Sequence, residues 1–160
     1  MARLIVREFG GIRIDSRQWP LVTFDQPEHK VTDAATMEAL EFLTGLMADV
    51  GPGEKIFLLV DLSQPKEAAP ASQRKAAADH SARHGELQKR TVVGSGIVIT
   101  SAVMRGVITA VFWLRPPAVP TKLVASRDEA LRYGLGLLEA HLSVLPPNLQ
   151  QLRNQMRRAG

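Results

Sequence analysis

The chain has 160 residues, of which 45% are hydrophobic and 22% charged, the composition of one globular domain large enough to bury a core. It contains no cysteine, which excludes disulfides, thiol nucleophiles and cysteine zinc sites and favours a reducing, cytoplasmic compartment. The N-terminal residues hold no apolar run of signal-peptide length, and the most apolar window, 94–114, is interrupted by Arg105 and by polar residues. We therefore expect no membrane span.

The net charge of +4 is distributed unevenly. Such asymmetry indicates either an anionic partner such as nucleic acid or simply a solvated basic surface. Nucleic-acid grooves usually add stacking aromatic residues, and aromatic residues make up only 5% of this chain. We therefore favour the solvated surface and expect no nucleic-acid binding. Between Leu87 and Arg127 the chain has no acid and carries Lys89, Arg90, Arg105, Arg115, Lys122 and Arg127.

The first quarter of the chain predicts strands followed by one helix. Segments 4–7, 12–15 and 21–24 are short, apolar or alternating, and separated by glycine and proline, which is typical of antiparallel strands. Thr32 or Asp33 can cap a helix whose apolar residues recur at helical spacing up to Val50. Gly51-Pro52-Gly53 ends that helix.

From residue 56 onward, strands and helices alternate. The apolar runs 56–60 and 92–100 predict strands covered on both faces, and 123–125 predicts a short third one. Helices are expected from Ser72 to about His84, from Ser101 to Leu114, and after Ser126, where Ser126-Arg127-Asp128-Glu129 matches a capping box. This order predicts an α/β fold with a mixed sheet of four to six strands, partly parallel, flanked by about four main helices. Residues 1–145 would form the single domain, and 146–160 a basic tail with a short helix from Asn148.

Three stretches resemble the SpoIIAA-like fold, the fold of STAS domains and of CRAL-TRIO lipid carriers. The first is Phe57-Leu58-Leu59-Val60-Asp61-Leu62-Ser63, which is similar to a central strand ending in Asp-Leu-Ser. The second is Ile97-Val98-Ile99-Thr100-Ser101 leading to Arg105-Gly106 and Trp113-Leu114. The third is Val124-Ala125-Ser126-Arg127-Asp128-Glu129-Ala130-Leu131, a short strand, a cap and the start of a helix.

The resemblance implies a domain that binds a partner protein and is not an enzyme. STAS domains of the anti-sigma-factor antagonist type carry a phosphorylated serine in an Asp-Ser-Ser-Gly sequence after the central strand. The corresponding stretch here is Ala69-Pro70-Ala71-Ser72-Gln73, so only Ser72 remains as a candidate phosphorylation site. The alternative implied by the same fold is a small-molecule or lipid carrier of the CRAL-TRIO type, with the tail helix as its gate.

Residues that could carry chemistry have a simpler structural interpretation in each case. His80 and His84 share a helix face but make at most half a metal site, so a polar helix face is favoured. Gly94-Ser95-Gly96 continues into a strand, which indicates close packing rather than a dinucleotide loop. Asp61 ends a central strand and could line a small ligand site with Ser63 and Ser101, although capping its own loop is favoured. We predict no catalytic residues, no metal and no cofactor.

The helix 101–114 is apolar nearly all round, which predicts cover on two sides. Besides the sheet, either the tail helix or a second copy in a homodimer would supply that cover. Met37, Met47, Met104, Phe112 and Trp113 are expected to be core residues.

The predicted partner site is the sheet edge formed by loop 62–71 and the starts of the helices at Ser72 and Ser101. Loops on a rigid scaffold commonly carry binding residues, and free amides at helix starts favour an acidic or phosphorylated group. The residues expected to bind the partner are Ser63, Ser72, Arg74, Ser101 and Arg105.

Overall fold

The computed structural model describes residues 4–160 as one six-stranded mixed sheet whose strands neighbour one another in chain order. The first three strands pair antiparallel, and the third to sixth run parallel to one another. The expected mixed α/β sheet, with parallel pairing of the runs 56–60 and 92–100, is therefore confirmed. The strands are β1 (Val6–Phe9), β2 (Ile12–Asp15), β3 (Leu21–Asp25), β4 (Ile56–Asp61), β5 (Val92–Val98) and β6 (Thr121–Val124).

Six helices follow or connect these strands in the described residues. The short helix α3 was not predicted, because its seven residues contain only one large apolar side chain, Leu87. The predicted start at Ser72 was wrong by one residue. The helices are α1 (Asp33–Ala48), α2 (Ala71–Arg83), α3 (Gly85–Thr91), α4 (Ala102–Leu114), α5 (Arg127–Leu142) and α6 (Pro147–Ala159).

Side-chain caps fix the start of three helices. Thr32 Oγ1 accepts a hydrogen bond from Ala35 N at 3.2 Å, and Ser126 Oγ accepts one from Glu129 N, also at 3.2 Å. Ser101 Oγ accepts one from Met104 N at 3.3 Å. Ser72 does not cap α2, because α2 begins after Pro70, which has no side chain that could accept a bond.

Apolar cores lie on both faces of the sheet. On one face α1 buries Ala39, Leu43 and Met47 against β2, β3 and β4. On the other face α5 covers β4 and β5, α6 packs on α5, and the two helices contribute fully buried Leu138 and Leu149. Residues 146–160, expected to be a basic tail, thus form a helix whose apolar side belongs to this second core.

Two glycines of β5 lie where a helix crosses the sheet closely. A Cβ at Gly96 would come within 3.2 Å of the Phe57 ring and of Ala130 of α5, and one at Gly94 within 2.5 Å of Leu137 Cδ1 of α5. This confirms that Gly94-Ser95-Gly96 serves close packing.

Helix α4 is placed differently from the expectation. Met104 is its only buried residue, and its side chains contribute to neither core. Trp113 is 83% exposed, so its interpretation as a core residue was wrong. The tail helix does not supply cover, because Leu149, Leu152 and Met156 of α6 pack into the second core instead. Within residues 4–160, no helix is both long enough and apolar enough to cross a bilayer.

Candidate partner-binding edge of the sheet

Strands β3 to β6 all end at one edge of the sheet, because they run parallel. We call this the carboxyl edge: the ends of these four strands, loop 62–70, and the first turns of α2, α4 and α5. Since β4 and β5 are direct neighbours, the loop after β4 and the start of α4 lie side by side. In open α/β sheets, ligands and partners commonly bind at this edge.

A cluster of one arginine and two aspartates ties the carboxyl edge together. Asp25 and Asp61 are register partners at the ends of β3 and β4. Arg127, at the start of α5, bridges them, with Nη1 at 2.9 Å from Asp25 Oδ1 and 2.9 Å from Asp61 Oδ2. The other oxygen of Asp61, Oδ1, accepts hydrogen bonds from Ser63 N at 2.9 Å and from Ser63 Oγ. Asp61 therefore caps its own loop, as favoured from the sequence.

These contacts set the charge state of the cluster. Burial would favour the protonated form of Asp61, but the hydrogen bonds from Ser63 and the charge of Arg127 outweigh it and hold the carboxyl pKa below its ordinary value. The pKa of Arg127 is raised, since the bonds from both carboxylates exceed the opposing effect of burial. The cluster is thus ionised and joins β3, β4 and α5, and its hydrogen-bonding groups are largely occupied by one another.

Arg105 reaches from α4 back to the strand ends. Its Nη2 donates to Ile99 O at 3.0 Å, and its Nη1 lies 3.4 Å from Leu123 O. No carboxylate of residues 4–160 lies within ion-pair distance of it. The guanidinium is held in place by neutral carbonyl groups, and its positive charge is uncompensated at short range.

Arg74 on α2, like Arg105, is held by a backbone carbonyl group. One guanidinium nitrogen donates to Ala69 O in the preceding loop, and in the described part of the chain it too has no carboxylate partner. Ser72 is exposed on the first turn of the same helix. An unpaired cation and an accessible hydroxyl therefore lie within one turn of a helix start.

Loop 62–70 is anchored on its other side to the segment between β3 and α1. Lys66 Nζ lies 2.6 Å from Glu28 Oε1, and Lys30 Nζ lies 3.5 Å from Glu67 Oε2. Just beyond the loop, buried Gln73 donates to Val31 O at 3.1 Å. Both ion pairs are exposed and contribute little to stability, so buried Gln73 is the firmer link to this segment.

The structure places the five predicted site residues at the carboxyl edge but in three separate local arrangements. Ser63 is bound to Asp61, Ser72 and Arg74 lie on α2, and Ser101 and Arg105 lie on α4. Within residues 4–160, no hydrogen bond joins one of these groups to another. Asp25 and Arg127 were missed as members of this edge. The signal for Asp25 is its position after an apolar strand, the same position that Asp61 occupies.

The histidine pair has a different role from the polar helix face expected for it. His80 is buried, and its Nε2 lies 2.9 Å from Thr44 Oγ1 of α1. When the Thr44 hydroxyl donates its proton to Leu40 O at 2.9 Å, the matching tautomer of His80 carries its proton on Nε2 and donates to Thr44. The ring of His84 lies 4.6 Å from that of His80. In residues 4–160 no three His, Asp or Glu side chains converge as a metal site would require.

Several basic residues of the acid-free segment 87–127 find acidic partners elsewhere in the chain. Arg115 pairs with Asp79 at 2.7 Å, Lys89 with Glu86 at 2.9 Å, and Arg127 with the two aspartates above. Lys122 lies over the ring of Tyr133, 5.6 Å from its centre. The basic excess is therefore partly neutralised within the fold, and Arg105 remains as an unpaired cation at the carboxyl edge.

These features define an α/β domain with a mixed sheet covered on both faces. No protein-family model, curated protein or solved structure matches the chain.

Proposed function

We propose that this chain is a STAS-like, SpoIIAA-like interaction domain of the cytoplasm, without catalytic function, that binds an acidic segment of a partner protein at its carboxyl edge. One observation carries the proposal: Arg74 and Arg105, on neighbouring helix starts, are oriented by backbone carbonyls and have no carboxylate partner within residues 4–160. A cation that is held in place but not neutralised is suited to an acidic group supplied from outside, because little side-chain entropy is lost on binding.

The helix starts add to this preference for anions. The free amides of the first turns of α2 and α4 carry partial positive charge, which favours carboxylate or phosphate groups nearby. Neither helix has an acidic residue in its first turn to offset it. The α5 start does, with Asp128 and Glu129, so the acidic segment should lie over α2 and α4 rather than α5.

The alternative of a lipid or small-molecule carrier has less support. Such a carrier needs an enclosed apolar cavity and a movable gate. The grooves along α4 and α6, about 520 and 350 Å³, are both open to solvent. The helix considered as a gate, α6, is anchored in the core by Leu149 and by a bond of 3.2 Å from Asn148 Nδ2 to Trp19 O.

The proposal is tested with a fluorescein-labelled Asp/Glu-rich decapeptide, measured by fluorescence anisotropy. An Asn/Gln-rich peptide of equal length and a single-stranded DNA oligonucleotide serve as comparison ligands. We expect the acidic peptide to bind, the neutral peptide not to bind, and affinity to fall with salt. Binding of DNA without binding of the acidic peptide would overturn the proposal in favour of a nucleic-acid function.

Two sets of variants test whether the acidic peptide binds at the carboxyl edge or only through the net positive charge of the protein. Arg74→Gln with Arg105→Gln should weaken peptide binding by about tenfold, while Arg157→Gln on α6 removes an exposed charge far along the chain and should leave it unchanged. Circular dichroism melts confirm that each variant is folded, since Arg105 also holds two strand ends. Equal binding by a folded double variant and by Arg157→Gln contradicts the proposal.

The same assay addresses Ser72 as a phosphorylation switch. A phosphate at Ser72 would add about −1.5 to −2 charges beside Arg74, which would compete with the acidic segment for the same cation. We expect Ser72→Asp to weaken binding of the acidic peptide and Ser72→Ala to leave it unchanged. Equal behaviour of the two variants would rule out the switch.

A further inference from the structure

Helix α4 presents a continuous apolar face to solvent. Of the five exposed large hydrophobic side chains in residues 4–160, three belong to this helix: Val103, Trp113 and Leu114, which are 78%, 83% and 85% exposed. At 100° per residue, all its exposed positions fall within a sector of roughly 120°. That sector contains Ala102, Val103, Gly106, Ala110, Trp113 and Leu114.

This face combines large and small side chains in a self-complementary order. Ala102, Gly106 and Ala110 leave an open groove of about 520 Å³ that ends at Trp113. A Cβ at Gly106 would meet no atom within 4 Å, so nothing else in the described chain occupies the groove. The same face thus offers a groove and an exposed indole, as a two-fold symmetric interface requires.

The six exposed side chains of this face are uncharged, and among the described residues only one uncompensated cation, Arg105, lies beside them. The guanidinium of Arg105 is bound to Ile99 O, and that of Arg115 pairs with Asp79 at 2.7 Å. A helix that lies on a membrane surface usually has free lysines and arginines beside its apolar face. A single uncompensated arginine is fewer cations than a membrane surface usually attracts, so the uncharged face and its groove fit another helix better than a lipid surface.

We propose that a second copy of this chain covers α4, with the two helices packed antiparallel about a two-fold axis near Ile108. That axis places Gly106 opposite Ala110 of the partner subunit, so that the helices approach closely at the centre. Towards the ends, Val103 lies opposite Trp113 of the partner subunit, and Ala102 opposite Leu114 of the partner subunit. Each large side chain then meets a smaller one.

The area involved sets the strength of this dimer. Val103, Trp113 and Leu114 are each about four-fifths exposed, so covering them together with the small residues between them buries on the order of 500 Å² per copy. About 1,000 Å² in total is the lower limit for a specific interface, which favours a reversible dimer with a micromolar dissociation constant. The interface is apolar, so association should not weaken as salt is raised.

The test is sedimentation-velocity ultracentrifugation of the full chain from 1 to 500 μM at low and high salt. We expect a reversible monomer–dimer equilibrium that is insensitive to salt. Trp113→Gln and Gly106→Leu should each raise the dissociation constant at least tenfold, since the first removes the large side chain and the second fills the groove. Val144→Gln, at an apolar site 68% exposed outside α4, is the matched control and should dimerise like the unmodified chain.

Two outcomes overturn the proposal. A chain that remains monomeric up to 500 μM has no such interface, and dimerisation unaffected in folded Trp113→Gln and Gly106→Leu uses another surface. Co-sedimentation with phosphatidylcholine/phosphatidylglycerol vesicles distinguishes the membrane: binding by the unmodified chain that Trp113→Gln abolishes, without dimerisation, assigns α4 to lipid instead.

Discussion

Gly134 of α5 lies directly against the ring of Phe57 in β4, and a Cβ at position 134 would overlap the ring carbons. Phe57 is fully buried, and Tyr133 also packs edge-on against it at a centroid distance of 5.8 Å. Because β4 is a central strand and the ring is enclosed, neither the helix nor the ring can move aside without cost. This contact fixes how closely α5 approaches the sheet.

We therefore expect Gly134→Ala to reduce the free energy of unfolding by about 1–3 kcal/mol, the usual cost of overpacking a core. Chemical denaturation followed by circular dichroism measures it. In a Phe57→Leu background the same change should cost less, because the smaller side chain leaves room for the methyl group.

Gly136, two residues further along the same helix, is the control. It is exposed, and a Cβ there would meet no atom within 4 Å. Gly136→Ala should stabilise the protein by about 0.5–1 kcal/mol through helix propensity alone. If both alanine variants stabilised the protein, the close contact at Gly134 would be refuted.

A second prediction concerns the contribution of the helix caps to the free energy of unfolding. Ser101→Ala and Ser126→Ala each remove the acceptor of a capping bond and should lower the free energy of unfolding by about 1 kcal/mol. Ser72→Ala removes no such bond and should change it by less than about 0.5 kcal/mol. Denaturation midpoints of the three variants, measured in parallel, test this prediction. If Ser72→Ala lowered the free energy of unfolding as much as Ser101→Ala, the position of the start of α2 would be contradicted.

Features that depend on neighbours in the chain could be predicted from the sequence. The caps at Thr32, Ser101 and Ser126 are local patterns, and the apolar runs of β4 and β5 are continuous because both faces of these strands are covered. The parallel pairing of these strands followed from the helices between them. The carboxyl edge followed in turn, because parallel strands end together.

Features that depend on residues far apart in the chain could not be predicted from the sequence. Arg127 lies 102 positions from Asp25, so their bond depends on the register of the folded sheet. Periodicity showed that α4 is apolar, but not which elements would cover it, and so Trp113 was misplaced. His80 was assigned to a polar face because a histidine in a helix gives no sign of a partner such as Thr44 on another helix.

A third prediction concerns the cluster of Asp25, Arg127 and Asp61 at the carboxyl edge. Arg127→Gln leaves Asp25 and Asp61 adjacent without their shared cation and should cost about 1 kcal/mol at neutral pH, a value reduced by the partial exposure of the arginine. The pKa of Asp61 is lowered in the folded state, so its stabilising contribution is present above the unfolded value near 3.8 and is lost as pH falls through the folded pKa. The difference between the variant and the unmodified chain should therefore vanish in acid.

Urea titrations at several pH values between 3 and 7 measure this difference. Lys66→Gln is the control, because its ion pair with Glu28 is exposed and should contribute little at any pH. A loss of stability in Arg127→Gln that is the same at pH 3 and pH 7 would show that packing of the arginine, and not its charge, is what matters.

The last prediction concerns His80, which joins α2 to α1 as a neutral imidazole. Its pKa lies below the ordinary value, first because burial disfavours the charged ring and second because of electrostatic repulsion from His84 and Arg83, against smaller opposite effects of Glu41 and Leu40 O. The unfolded chain, with a pKa near 6.5, takes up a proton before the folded chain does. This contribution to stability is therefore complete above about pH 7 and declines as pH falls through 6.5 towards the folded pKa, by at most about 1.4 kcal/mol per pH unit.

His80→Gln can still donate to Thr44 but does not titrate, so its free energy of unfolding should decline less between pH 7.5 and 5.5 than that of the unmodified chain. His141→Gln, which alters an exposed histidine on α5, should keep the full decline. Parallel curves for His80→Gln and the unmodified chain would show that His80 is not the group whose protonation loosens α2.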